Sequence, residues 1–313
     1  MGFDKSKYLK RVLNSYKMSH VQEKMDKYIL KREKVKDSLD DKYNGKKATR
    51  AINSGSYAKH TAINVKFDID VCQPFQRNSF DTLEEMADDV YNYFMEEYED
   101  EDLVKYKTKK QRVSVGLTFL IDGEEIEMDI VPGRELLKDD YKETNRLNLH
   151  VRPKGIQPAS STQTNIQKHI DLIKGKGDER SIIRLLKNWN VTKNSGKKLK
   201  SFFIELITIR AFDDASEIPT GLWEKLEMTM IFIRDEVENI RLLDPANSNN
   251  IVSDTLTSIE KKNLSYDMKL MLERIDDDDE NIKVYFPVND KFDNEEDEKS
   301  DVGPSILTTT SFS

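Results

Sequence analysis

A single cysteine, Cys72, in 313 residues excludes an intrachain disulfide and a cysteine zinc cluster. Beside a strand-like stretch, it reads as a small core residue. The four histidines, His20, His60, His150 and His169, are scattered and share no metal-ligand spacing. No apolar run approaches the roughly 20 residues that span a bilayer. The start, Met-Gly-Phe-Asp-Lys-Ser-Lys, lacks the apolar stretch of a secretory signal. These absences lead to the expectation of a cytoplasmic protein with no membrane contact.

Charge is abundant and unevenly spread. The chain is 37% hydrophobic and 35% charged, with a net charge of −8. Residues 1–50 carry 15 lysines and arginines against 7 acids, a net of +8, which leaves −16 for the remainder. A basic segment can meet nucleic acid electrostatically. The plainer reading is an amphipathic helix with a solvated lysine face. The acidic remainder argues against a long polynucleotide as an obligatory substrate, so nucleic acid is not required on this reading.

Residues 53–71 hold the chemistry. Gly55 and Ser56 follow a short apolar stretch, eleven residues then precede Asp68, and Asp70 comes two positions later. From Lys66 to Val71 polar and apolar residues alternate, which predicts a strand with Asp68 and Asp70 on one face. Two carboxylates so placed repel each other unless a cation lies between them. Mg²⁺, which prefers carboxylate and phosphate oxygens, is the natural occupant. Gly55 lets the backbone approach a bound group closely, and Ser56 with the amides after it can hold phosphate oxygens. Residues 125–131 read as a second alternating strand that presents Glu125, Glu127 and Asp129 on one face and ends at Pro132 and Gly133. Asp129 beside Asp68 and Asp70 makes a three-carboxylate site for two metal ions.

This pattern of Gly-Ser, Asp-x-Asp and a third Asp on a later strand resembles the polymerase-β-like nucleotidyltransferases. More narrowly, residues 55–61, Gly-Ser-Tyr-Ala-Lys-His-Thr, resemble the motif of the bacterial cGAS/DncV-like nucleotidyltransferases (CD-NTases) and their oligoadenylate-synthetase relatives. The stretches 184–190, 200–206 and 243–250 agree with it, and the likeness covers roughly residues 50–275. It implies Asp68, Asp70 and Asp129 as catalytic metal ligands, with two Mg²⁺ ions that Mn²⁺ can replace. It implies Gly55, Ser56 and Lys59 as triphosphate contacts, with Thr61 nearby. It also implies a triphosphate-binding lysine and serine on consecutive helices, where Lys187 and Ser201 stand. Phe202 is then a candidate to stack on a base, although a core role fits it equally.

The fold class expected is α+β: a polymerase-β-like lobe with a mixed sheet, a C-terminal helical lobe and a long N-terminal helix. The divisions read as follows. Residues 1–45 are an N-terminal helical segment packing on the core, and 46–155 the catalytic lobe. Residues 156–288 are a helical lobe like that of oligoadenylate synthetase, and 289–313 an acidic, disordered tail. Within them, 5–42 form one or two long helices, Ser79–Asp81 caps a helix running to Tyr98, and Asp122-Gly123 turns a hairpin. Gln157–Thr164 reads as a mobile loop and Lys283–Phe286 as an edge strand.

The resemblance implies an enzyme that joins nucleoside triphosphates, ATP among them, into a cyclic di- or trinucleotide with loss of pyrophosphate. The product would be a second messenger of bacterial anti-phage defence (CBASS), read by a separate effector, and a regulatory protein partner is possible in that setting. Alternatives stay open: a linear oligoadenylate synthetase, a transferase acting on RNA or protein, or an inactive nucleotide-binding scaffold.

Overall fold

The computed structural model describes residues 2–293. The nearly breaker-free N-terminal stretch forms two helices, α1 (Lys5–Ser15) and α2 (Gln22–Lys42), parted by a 3₁₀ turn at Met18–Val21. The Asp4 carboxylate caps α1 by accepting the Lys7 amide. The break is a tertiary effect, since Asn64 donates its side-chain amide to the carbonyls of Ser15 and Lys17 and so satisfies the interrupted backbone. The two helices serve different cores. Leu9 and Val12 of α1 lie in the helical lobe, whereas Met25, Tyr28, Val35 and Leu39 of α2 lie under the sheet.

The sheet follows with its connecting helices: β1 (Ile52–Asn53), one turn of α3 (Gly55–Ala58), β2 (Val71–Phe75), α4 (Leu83–Asn92), β3 (Lys109–Lys110), β4 (Val115–Ile121), β5 (Glu124–Glu135), α5 (Tyr141–Thr144), β6 (Leu147–Val151) and β7 (Ser160–Thr164). The order is β1-β2-β5-β4-β3, with β6 on β5 and β7 on β6. Only β2 and β5 pair in parallel, so the sheet is mixed. Asp122 and Gly123 both take positive φ, 53° and 80°, as a two-residue hairpin turn between β4 and β5 requires. Leu117, Phe119, Ile126, Met128 and Ile130 fill one core with α2 and with Met86 and Val90 of α4.

The helical lobe comprises α6 (Ile166–Ile173), α7 (Gly177–Thr192), α8 (Ser201–Asp214), α9 (Leu222–Glu236), a small hairpin of β8 (Leu243–Asp244) and β9 (Asn247–Ile251), then α10 (Ser258–Asp277) and α11 (Ile282–Tyr285). Helix α10 starts in a full capping box, Thr257 with Glu260. Ile182, Leu186, Phe203, Ile207, Trp223, Met230 and Met268 pack its core. The architecture is α+β, as the sequence implies.

Several local readings are corrected. The Lys66–Asp70 stretch stands outside the sheet, and β2 starts at Val71. Strand β5 does not end at Pro132-Gly133 but runs to Glu135, pairing with Gln73 and Pro74. Gly133 marks close packing, because a Cβ there would meet Leu147 at 2.9 Å. The cap of α4 is Thr82, one residue beyond the expected stretch. Ser160–Thr164 is a strand; its polar sequence hides it, but its backbone pairs along all of β6. Residues 282–285 are helical, with Phe286 as the cap, because Ile282 and Phe286, four apart, are both fully buried in the helical core. Of the expected tail, residues 289–293 lie against α1. The Asn289 amide donates to Ser15 Oγ at 2.9 Å, and Arg11 pairs with Asp293 at 2.6 Å. The rest of that tail lies outside the described residues.

Candidate active site

Gly55 determines how the motif closes. Its φ is +83°, and a Cβ there would come within 2.7 Å of the Asp68 carbonyl oxygen. The turn therefore rests directly on the backbone of Asp68. Three hydrogen bonds hold it: Ser54 N to the Asp70 carbonyl at 2.8 Å, Tyr57 N to the Asp68 carbonyl at 3.3 Å, and Asp68 N to Ser56 Oγ at 3.1 Å. These bonds use backbone groups that a strand ladder would otherwise take, which is why Asp68 and Asp70 precede β2. Ser56 is buried, so its hydroxyl is fixed on the site's wall.

Strand β5 brings Asp129 alongside, and its amide points at Asp70 Oδ1 from 3.4 Å. Gln111 Nε2 donates to Asp129 Oδ1 at 2.8 Å and the Ser114 hydroxyl to Oδ2 at 3.4 Å. Both come from the turn before β4. Gly116 makes room for them, since a Cβ there would lie 2.5 Å from Gln111 Nε2.

The three carboxylates depend electrostatically on one another. Burial, then Asp68, then Asp129, push the Asp70 carboxyl up to about 7. Burial also raises that of Asp129, against the lowering effect of the Gln111 and Ser114 hydrogen bonds. The site thus has a deficit of positive charge, and an all-carboxylate donor set suits a hard divalent cation. Among the described residues, no group of three histidine, cysteine or carboxylate side chains is already arranged to hold a metal ion. Asp68, Asp70 and Asp129 are neighbours rather than a closed ligand cage.

Behind them lies a buried ion cluster centred on Glu205 of α8, a residue the motif reading passed over. It accepts from Lys59 Nζ at 2.5 Å, Thr61 Oγ1 at 2.9 Å and Lys187 Nζ at 3.1 Å. Lys187 also donates to the Thr61 hydroxyl and carbonyl at 2.9 and 3.2 Å. Burial would raise the Glu205 carboxyl, but Lys59 and Lys187 hold it below the usual range. Burial pulls Lys187 below the usual lysine range despite Glu205. A lone carboxylate within the apolar run Phe202–Ile209 was the available signal, because it needs buried cations to be tolerated.

Two spaces meet at the carboxylates. A cavity of about 230 Å³ is lined by Gly55, Ser56, Lys59, Asp68 and Asp70 together with Ile166, His169, Ile170, Ser201 and Phe202. The Phe202 ring lies 5.6 Å from the Lys59 ammonium and 4.8 Å from the His169 ring. A wider cleft of about 1180 Å³ runs past Asp68, Asp70 and Asp129 between the lobes, with Lys66, Lys154, Lys198 and Lys200 along it. That exceeds the roughly 300–1,000 Å³ of a typical small-ligand pocket. All nine residues expected at the site line these spaces or bond to residues that do; Lys187 closes a narrow recess with Ser56, Asp68 and Ser201. Gln111, Ser114, His169 and Glu205 join them.

No family model and no curated protein matches the sequence. Solved structures do. CdnC of E. coli MS115-1, in a complex with HORMA-deltaN, is similar at a TM-score of 0.62 and 21% identity, over 80% of this chain and 84% of its own. The CD-NTase CdnG of Bradyrhizobium diazoefficiens, in complex with GTP, is similar at a TM-score of 0.65 and 13% identity, over 91% and 95%. The cyclic AMP-GMP synthase DncV of Vibrio cholerae, a prokaryotic cGAS homolog, is similar at 0.60 and 13% identity, over 79% and 70%. Among the described residues no helix is long and apolar enough to cross a membrane. The chain therefore has the CD-NTase fold.

Proposed function

We propose that this protein is a metal-dependent nucleotidyltransferase that joins nucleoside triphosphates into a cyclic di- or trinucleotide. One observation carries the reading: Asp68, Asp70 and Asp129 converge where a Ser- and Lys-lined cavity opens into a cleft larger than one small ligand needs. Neighbours solved with ATP, with GTP and with HORMA-deltaN support triphosphate substrates and a regulatory protein partner. A role in anti-phage signalling through a separate effector extends the same reading.

The chain's residues divide the work. The Ser56 hydroxyl, Lys59 and Lys187 hold triphosphate oxygens and offset charge growing on the departing pyrophosphate. Glu205 holds both ammonium groups in place while no phosphate is present. Asp68, Asp70 and Asp129 would hold the divalent cations, which supply Lewis-acid activation of the attacking hydroxyl and the phosphates when bound. Gln111 and Ser114 fix the Asp129 carboxylate, which is placed to take the hydroxyl proton. A ribose oxygen bonds to the α-phosphorus, the bond to the β-phosphate bridge breaks, and pyrophosphate leaves. Repetition on the linear product closes the ring.

The test is incubation of purified protein with the four labelled triphosphates and Mg²⁺ or Mn²⁺, followed by phosphatase and mass spectrometry. A phosphatase-resistant, nuclease-sensitive product is expected, and Asp68→Asn or Asp129→Asn should abolish it while the melting temperature is kept. Phosphatase-sensitive oligomers would identify a linear synthetase instead. The open carboxylate arrangement favours one other reading, a nucleotide-binding scaffold, which would bind triphosphates without turnover.

A further inference from the structure

The 230 Å³ cavity has a mixed lining: Gly55, Ser56 and Lys59 suit phosphates, while Ile166, Ile170, Phe202 and the imidazole of His169 offer apolar surface with one polar ring. His169 is held from behind: Nε2 lies 2.7 Å from Asp244 Oδ1. Asp244 is itself buried, and its other partners, the Ala246 amide at 2.8 Å and the Asn250 side-chain amide at 3.1 Å, are both donors. The β8–β9 hairpin thus presents an ionised carboxylate that only accepts. A neutral imidazole facing it must carry its proton on Nε2, which leaves a lone pair on Nδ1. Nδ1 has no hydrogen-bond partner among the described residues.

We propose that His169, held in one tautomer by Asp244, reads a base bound beside Phe202 in this cavity and selects a 6-aminopurine over a 6-oxopurine. An exocyclic amino group donates to the Nδ1 lone pair, whereas a 6-oxo oxygen opposes it with a second lone pair and leaves both unpaired. His169 is the reading residue and Asp244 a positioning residue that acts through it. This deepens the transferase reading and rests on it for the presence of a nucleotide.

Equilibrium binding of ATP and of inosine triphosphate to the full chain, measured by calorimetry, tests it, because sugar and phosphates are identical and the two differ only along the N1–C6 edge, an amino donor and bare N1 against an oxo acceptor and N1–H. The expected result is ATP bound about three- to tenfold more tightly, the range of one hydrogen bond. His169→Ala should erase the preference. His169→Gln, whose amide can donate to Asp244 and keep an oxygen acceptor, should retain it, and Asp244→Asn should narrow it. Melting temperatures show which variants are folded, and the wild-type ratio stands independently of all three. Equal binding of the two nucleotides by the wild type, or a preference that survives His169→Ala, would overturn the assignment and leave the transferase reading standing. Failure to bind any triphosphate would overturn both.

Discussion

Gly55 packs directly on the backbone of Asp68, and that contact joins the motif turn to the first carboxylate. A methyl group at Gly55 would both strain a φ of +83° and push against the Asp68 carbonyl at 2.7 Å. Gly55→Ala is expected to lower synthesis at least tenfold, through displacement of Asp68. Thermal unfolding should show a loss of about 1–3 kcal/mol; wild-type rate and stability together would show that the approach is dispensable. The residue scale also explains the acid response of Asp244. Burial would raise its carboxyl, but His169, the Ala246 amide and Asn250 hold it below the usual value. A carboxyl depressed in the folded state adds stability above its unfolded value near 3.9, and that increment disappears as pH falls through the folded value. In urea titrations, wild type should exceed Asp244→Asn by about 1 kcal/mol at pH 7, and the gap should shrink as pH drops from 5 to 3. A gap constant over that range would refute the ionised acceptor.

At the scale of elements, β5 does the most. One strand pairs antiparallel with β4, then parallel with β2, then with β6, so Asp129 and the segment carrying Asp68 and Asp70 share a single backbone frame. The turn before β4 adds orientation through Gln111, in the space that Gly116 leaves open. Groups that hold a metal ligand in place are typically worth 10- to 100-fold in activity or affinity. Gln111→Ala should therefore lower kcat by about that factor with little change in KM for triphosphate. A rise in KM at constant kcat would assign Gln111 to substrate binding instead. The alternation over 125–131 and the Asp122-Gly123 turn made the β4–β5 hairpin readable from its own residues. Strand β7 was not readable, because Ser160–Thr164 has no apolar face and is a strand only through pairing with β6.

Across the whole molecule, the lobes are joined through charge as well as packing. Lys59 and Thr61 belong to the catalytic motif, Lys187 and Glu205 to helices of the other lobe, and all four meet in one buried cluster. Removing one partner of a buried ion network leaves uncompensated charge and costs about 3–5 kcal/mol. Glu205→Gln is expected to lose stability of that order in chemical denaturation, with part of it restored by ATP, whose phosphates supply the missing anion. Loss of less than about 1 kcal/mol would mean that the cluster is solvated and couples nothing. The ends of the described chain add to the same connection, since α1 packs in the helical core while α2, a few residues later, packs under the sheet. Residues 289–293 return to α1 and, through Asn289, to Asn64 beside the cleft.

What the sequence by itself determined was whatever depends on neighbours along the chain. The Gly-Ser turn, the spacing to Asp68 and Asp70, the hairpin carrying Asp129 and the apolar periods of α6 to α10 all follow from local sterics and from the period of one element. Tertiary structure decided what depends on partners far away in sequence. Glu205 is 144 residues from Thr61, His169 is 75 from Asp244, and the backbone of Asp68 gives up a strand ladder to bond Ser56 and Tyr57. A buried charge or a fixed tautomer exists only once the fold has brought its counter-charge or acceptor to it, and no local pattern encodes that meeting.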